Sequence, residues 1–388
     1  METLVVTMNT SPYDVVVIGA GPAGATTARA AARGGLRVLL VDKRAELGAP
    51  TQCSGAISAS ALREAGVPVD DEYICSQVHG FITYDALGTP AVIDYRRYKP
   101  DPIGYCVERK RFDRYLARLA TQAGADLLLK TTAESLEREG PWMRVCLRRL
   151  GRAETVRARV VVGADGVMSQ VGKWAGLRTF IKMSELASCL QFVMDRVPTD
   201  GLLEIVAGHE WAPGGYTWVF PRGGSLAEVG LGIIRTETTR DARWHLDHFI
   251  RDSWMAGRFK EGRILEVTGG GVPLAAPLKK MYADGVILVG DAARHVNPLT
   301  GGGLHTALRS GLIAGTFLVE SLLAGAPGDD AHLAGYQKRW TTTLGEQLLQ
   351  LYEIKARIFS EREIATRDRQ LFETLANYFA PASPFRKV

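Results

Sequence analysis

Four groups of residues in this chain have types and spacing suited to chemistry. The first is Gly19-Ala20-Gly21-Pro22-Ala23-Gly24, set between an apolar run, Val15 to Ile18, and an alanine-rich stretch ending near Gly34-Gly35. A second apolar run, Val38 to Val41, ends in Asp42 and Lys43. Strand, glycine turn, helix, strand and acid in this order describe a dinucleotide site. Gly19 permits the tight turn, Gly21 lets the backbone approach a pyrophosphate, and Gly24 lets the helix pack on the strand. The helix start adds free N–H groups and a positive dipole end. Asp42 is placed to accept hydrogen bonds from an adenosine ribose. An acid there disfavours a 2′-phosphate, so the site suits FAD or NAD better than NADP.

The second group is split. Residues 156–166 end a strand in Gly163-Ala164-Asp165-Gly166, and residues 285–303 run from a strand, Val286 to Val289, through Gly290-Asp291 and Pro298 to Gly301, Gly302 and Gly303. An apolar helix from Leu304 to about Leu323 follows. Asp291 can accept from a sugar-like hydroxyl, and the glycine triplet can set backbone N–H groups against an anionic ring edge. Turn formation and helix capping are the other reading of both aspartates. Third, Pro213-Gly214-Gly215-Tyr216-Thr217-Trp218-Val219-Phe220-Pro221 puts Tyr216, Trp218 and Phe220 on one face of a strand. They form either an apolar wall for a hydrocarbon or flat ring, or an ordinary sheet core. Fourth, Gln52-Cys53-Ser54-Gly55-Ala56-Ile57 carries one cysteine without an exchange partner. Cys53 is a packing residue, a thiol facing a bound ring, or a proton donor.

The elements that must position these groups follow from pattern. The fold class is α/β, a Rossmann-like cofactor domain built discontinuously from 12–75, 100–180 and 280–325. An inserted, mainly antiparallel β domain for substrate takes 76–99 and 181–279. Its short β-like segments are Leu186–Met194, Leu202–Ala207, Tyr216–Phe220 and Ala227–Ile234, with one helix over Arg240–Met255 carrying Trp244, Phe249 and Trp254. The region 326–388 is helical and flanks the substrate side. The 47 basic against 42 acidic residues leave +5, a mild excess without the basic stripe that nucleic acid requires. Cys53, Cys75, Cys106, Cys146 and Cys189 show no metal-knuckle or C-x-x-C spacing, so no metal site is expected. The opening METLVVTMNTSPY lacks a signal-peptide pattern, and no apolar stretch reads as spanning a bilayer. The chain reads as cytoplasmic, with any membrane contact peripheral.

Taken together, the G-x-G-x-x-G, Asp165-Gly166 and Gly290-Asp291 segments resemble the three-part signature of the flavoprotein hydroxylase superfamily. That resemblance implies FAD, with Arg109 and Asp113 in YCVERKRFDRYLARLA matching an arginine-bearing helix near the flavin. It extends the expected cofactor contacts to Ala23, Lys43, Cys53, Ser54, Gly55, Ala133, Gly166 and Leu304. Pro213, Tyr216, Trp218, Phe220 and Pro221 match the PxxYxWxFP pattern of one branch, the geranylgeranyl reductase family. Cys53 with Gly55 and the Gly301–Gly303 triplet are similar to further segments of it. Archaeal members, digeranylgeranylglycerophospholipid reductases, often read RCGEG where this chain reads QCSGA.

Membership implies FAD-dependent saturation of C=C bonds in geranylgeranyl chains of archaeal glycerophospholipids, chlorophyll precursors or prenyl quinones. Tyr216, Trp218 and Phe220 then bind substrate, and Cys53 or a water near it delivers a proton. No second G-x-G-x-x-G offers a nicotinamide domain. NADPH acting transiently at the flavin, or ferredoxin or another carrier protein, is the implied electron donor. Two enzyme classes share the signature: flavin monooxygenases or hydroxylases, and halogenases, whose GWxWxIP stretch GYTWVFP partly resembles. A noncatalytic flavin-binding protein is the third alternative.

Overall fold

A computed structural model describes residues 11–50 and 53–381. Gln52 of the cysteine loop therefore lies outside the described residues. The apolar runs form the central parallel strands of a mixed sheet, in which Tyr13–Ile18 lies between Val38–Val41 and Arg152–Gly163, with Val17 opposite both Leu40 and Val162. Val286–Leu288 continues the parallel order beyond Arg152–Gly163. Val15, Val16, Val17, Leu39, Leu40, Val160, Val161 and Val162 are fully buried, which is why these strands read as unbroken hydrophobic runs. A hairpin, Thr131–Glu139 with Trp142–Arg149, extends one edge through Arg152–Gly163.

One helix, Pro22–Arg33, packs on this sheet, and a second stacks on that helix. Pro22–Arg33 starts with proline at its first turn, after an extended Gly21. Leu304–Leu323 packs directly on it, so closely that a Cβ on Gly311 would lie 2.4 Å from the Ala23 carbonyl oxygen. This second helix corrects one sequence expectation. It is 20 residues long with a mean hydropathy of 1.2, enough by length and composition to cross a bilayer, yet most of it is buried against protein. Its apolarity serves two packed faces.

The second sheet has seven strands, in the order Ile264–Pro273, Leu186–Met194, Ala227–Ile234, Tyr216–Pro221, Leu202–Val206, Gly80–Tyr84 and Pro90–Asp94. All neighbours are antiparallel except Leu202–Val206 against Gly80–Tyr84. Alternation gives it two distinct faces. Phe192, Val206, Val219, Leu231 and Ile233 pack on a helix through Leu246 and Phe249. Tyr216, Trp218, Phe220, Leu203 and Ile205 belong instead to the main core that joins this sheet to the first.

The helix expected over Arg240–Met255 is shorter, Ala242–Asp252, capped by the Asp241 carboxylate and ended by an extended Ser253. It carries Trp244 and Phe249 but not Trp254, which lies beyond its end, and both tryptophans are exposed. A three-stranded sheet, Ala56–Ser58, Gly104–Val107 and Ile74–Val78, carries the chain just after Cys53. Helices Asp330–Trp340, Glu346–Ser360 and Ile364–Phe379 close the fold.

Candidate active site

The glycine turn lies at the carboxyl end of Tyr13–Ile18, beside Asp42. Asp42 is buried, and its two oxygens accept from the backbone N–H groups of Ala20 (2.9 Å) and Arg44 (2.8 Å). Lys43 is exposed beside it. Thr131 donates its N–H to the Asp42 carbonyl, which brings the start of the Ala133 strand to the same corner. A Cβ built on Gly21 meets nothing within 4 Å, so the backbone here fronts open space of the kind a pyrophosphate fills.

Asp165 matches the capping reading. Its carboxylate accepts from the Ser169 hydroxyl (2.6 Å) and from the N–H groups of Gln170 (2.7 Å) and Val171 (3.0 Å), fixing the start of the short helix Gln170–Trp174. Gly166 follows it with φ of 82°. Asp291 differs. Its carboxyl is half-buried and has no hydrogen-bond partner among the described residues, and burial pushes its pKa up to about 6 while Arg109 pulls it down. An oxygen of Asp291 lies 3.6 Å from the point a Gly303 Cβ would occupy, so the carboxyl sits at the start of the Leu304–Leu323 helix.

The glycine triplet needs a correction. The Gly301 N–H donates to the Asn297 carbonyl (2.8 Å) and the Gly302 N–H to the Thr300 hydroxyl (3.2 Å), so two of the three expected donors are already used. The loop folds back because the Asn297 side chain accepts from Leu299 and Thr300. Free donors begin with Gly303 and Leu304, at the helix start, where α-helices leave N–H groups unpaired.

Cys53 is partly exposed, and its sulfur accepts weakly from the Gly55 N–H at 3.4 Å. Gly55 has φ of 73°, and a Cβ there would sit 2.2 Å from the Val107 carbonyl oxygen, so only glycine holds this turn against its neighbour. Arg109 opens the helix Arg109–Gln122 and is clamped by Asp113 through two bonds of 3.0 Å. Burial works against the Arg109 charge, but Asp113 and then Cys53 hold its pKa above the ordinary value. A largely buried, permanently charged guanidinium therefore lies beside Cys53 and within electrostatic reach of Asp291.

Cys53, the glycine triplet and the start of the Leu304–Leu323 helix border one cavity of about 540 Å³. Cys53, Ser54, the glycine triplet and Leu304 line it together with Tyr216, Trp218 and Phe220. Ring centroids along that strand are 5.9 Å and 6.4 Å apart, which makes a continuous aromatic wall. The Tyr216 hydroxyl donates to the Thr300 carbonyl at 2.5 Å, tying the wall to the glycine loop. Burial, with Cys189 and Cys53 nearby, pushes this phenol far above its usual pKa. Tyr216 is thus a fixed wall residue and a poor acid.

Sequence reasoning missed the other lining residues. Leu203 and Ile205 were legible as alternation within Leu202–Ala207, but nothing marked which face opened on a cavity. Lys355, Tyr378 and Phe379 reach in from the last two helices, where only helical spacing was visible. Phe379 stacks on Phe81 at 4.0 Å, and Tyr378 accepts from Asn297 at 2.9 Å, so the carboxyl-terminal helix roofs the cavity. Among the described residues no cluster suited to a metal ion occurs.

The chain matches a family model described as geranylgeranyl reductase catalytic domain over residues 185–272, and one described as FAD binding domain over 12–213. A digeranylgeranylglycerophospholipid reductase from Methanothrix thermoacetophila is 41% identical over 344 residues, covering 88% of this chain and 86% of the relative. One of the same name from Methanocaldococcus jannaschii is 37% identical, covering 87% and 84%. A solved geranylgeranyl bacteriochlorophyll reductase-like protein from Thermoplasma acidophilum superposes with a TM-score of 0.84 at 30% identity, covering 97% and 98%. The flavin-dependent halogenase CmlS gives 0.75 at 19% identity, covering 98% and 74%, which is likeness of fold alone.

Proposed function

From the premise that the chain belongs to the geranylgeranyl reductase family, we propose that it saturates C=C bonds in the prenyl chains of a glycerophospholipid. It is an FAD-dependent reductase acting on carbon–carbon double bonds. The single observation that carries the substrate reading is that the aromatic wall of Tyr216, Trp218 and Phe220 shares one largely apolar cavity with Cys53 and the Gly303-Leu304 helix start. A chlorophyll precursor or prenyl quinone presents the same hydrocarbon, and the names of the relatives at 37–41% identity favour the glycerophospholipid headgroup. The cofactor part comprises 12–75, 100–180 and 280–325, and the substrate part 76–99 and 181–279.

The residues present fit FAD. Gly21 leaves room at the helix start for the pyrophosphate, Asp42 and Ala133 border the adenosine corner, and the unpartnered Asp291 carboxyl suits a ribityl hydroxyl. Gly303 and Leu304 offer N–H groups to the pyrimidine edge of the ring. When bound and reduced, FAD supplies a hydride for one carbon of the double bond.

The protein must supply the rest. An isolated alkene has no carbonyl to take up charge, so a proton must reach the other carbon. Cys53, or a water it holds, is our candidate donor because it lines the same cavity as the glycine loop. Arg109 puts a fixed positive charge beside the negative charge that such a donor acquires, and Asp113 keeps that guanidinium in place. Solvent returns the proton. Tyr216, Trp218 and Phe220 exclude water and hold the chain flat.

Either NADPH or a reduced carrier such as ferredoxin supplies the electrons in this scheme. A hydrocarbon substrate of this kind resides in membranes, so peripheral contact with a lipid surface belongs to the same proposal. Anaerobic mixing tests the scheme: the bleached, reduced protein should regain its yellow colour when a prenyl phospholipid is added and stay bleached with a saturated one. Equal reoxidation by both would reject it.

A further inference from the structure

The segment between the Gln170–Trp174 helix and the strand Leu186–Met194 carries two exposed apolar side chains close together in the chain. Phe180 is 82% exposed and Met183 56% exposed, although neighbouring Thr179 is buried and anchors the loop. Lys173, Arg178 and Lys182 are exposed among them, and none forms an ion pair among the described residues. Arg294 reaches the same loop and donates to the Phe180 carbonyl.

This loop adjoins the cavity. Glu185, two residues after Met183, accepts the Leu274 N–H at 2.8 Å, and Leu274 lines the cavity. The Leu274 carbonyl accepts from the buried Lys355 ammonium at 2.7 Å, also in the cavity wall. Tyr352, one turn before Lys355, donates to the Glu185 carboxylate at 2.8 Å, and Leu349, a further turn back, is 46% exposed. One end of the cavity therefore lies directly behind the exposed loop.

We propose that the Arg178–Met183 loop docks on an anionic lipid surface, with Phe180 and Met183 entering the acyl boundary and Lys173, Arg178, Lys182 and Arg294 at headgroup level. The inference rests on the prenyl-lipid reading given above, because it places the lipid source next to the cavity. A flat face would suit an acidic carrier protein as well. A protruding phenylalanine ringed by cations is better matched to a bilayer, where its ring leaves water without needing a complementary pocket. The helix Leu304–Leu323 is held inside the protein, so attachment is peripheral.

The test is sedimentation of the full, FAD-loaded chain with vesicles of phosphatidylcholine alone, or with about a third phosphatidylglycerol. Only the anionic vesicles should retain the protein, and salt at roughly 1 M should release it. Arg178→Glu with Lys182→Glu should weaken retention about 25-fold or more, at about fivefold per lost cation. Phe180→Ser with Met183→Ser should weaken it at least about tenfold. Unchanged visible flavin content and melting temperature guard against misfolding. Sedimentation needs no turnover, so its result and the fate of the reductase reading are separable. Absence of anionic retention, retention indifferent to both double variants, or these residues capturing an acidic ferredoxin but no vesicle would overturn the proposal.

Discussion

Asp291→Asn should stabilise the protein without its cofactor while weakening its hold on FAD. Asp291 is raised by burial from its ordinary 3.8 to about 6, with Arg109 offsetting part of the effect. A carboxyl raised in the folded state binds protons there more tightly than in the unfolded chain. Its contribution to stability is therefore fully present below about pH 4, fades as pH rises, and above about pH 6 has become a cost of about 3 kcal/mol. Asparagine has the same shape and no charge, so the FAD-free variant escapes that cost. For 388 residues the unfolding entropy is about 0.8 kcal/mol per kelvin, which converts the gain to about 3–4 °C in melting temperature above pH 7. Below about pH 4 the two proteins should melt together. FAD affinity should move the other way, falling about 10–100-fold as a charge-assisted hydrogen bond is lost. Thermal melts of FAD-stripped protein across pH, with fluorescence titration of FAD, measure both. A variant less stable than the parent above pH 7, or one with unaltered FAD affinity, would refute the assignment of Asp291 as a carboxyl kept unpaired for the cofactor.

Three further outcomes follow from the cavity. Trp218→Ala should raise KM for a long prenyl substrate at least about tenfold while leaving flavin content near the parent level, because the indole touches the cavity but none of the proposed cofactor contacts. Cys53→Ala should lower kcat about 100-fold or more if the thiol donates the proton, and a solvent isotope effect on the residual rate should change with it; full turnover in the variant would remove Cys53 from that role. Lys355 is lowered by burial from 10.5 to about 8, so its charge costs the folded state most at neutral pH and the cost vanishes above about pH 10.5. Lys355→Met should accordingly stabilise by about 2 kcal/mol at pH 7, after allowing for the lost bond to Leu274, and lose that advantage in alkaline melts.

Much of the site was legible because its residues are tied to local patterns. The G-x-G-x-x-G turn, Asp42 and the helix from Leu304 announce themselves by order and spacing. The common face of Tyr216, Trp218 and Phe220 follows from a period of two. What stayed hidden depends on contacts between distant segments. No local pattern tells that Gly301 and Gly302 spend their N–H groups inside their own loop, since that follows from Asn297 folding under it. Asp165 and Asp291 look alike in sequence, each beside a glycine at a strand end, yet Asp165 is consumed by the Ser169–Val171 turn and Asp291 is left free. Length and composition alone would let the Leu304–Leu323 helix cross a bilayer, whereas its apolar character is absorbed by the Pro22–Arg33 helix. The roof from Tyr378 and Phe379 arrives from nearly 80 residues beyond the glycine loop, a distance at which periodicity says nothing about docking.

The central claim is most directly tested by mass spectrometry of prenyl glycerophospholipids after anaerobic incubation with the chemically reduced, FAD-loaded protein. We predict a gain of two hydrogen atoms' mass for each double bond saturated, dependent on prior reduction and abolished when the substrate chains are already saturated. No mass gain from any prenyl lipid or quinone, with one oxygen atom's mass appearing on a substrate once air is admitted, would contradict the account and make the chain an oxygen-using flavoenzyme.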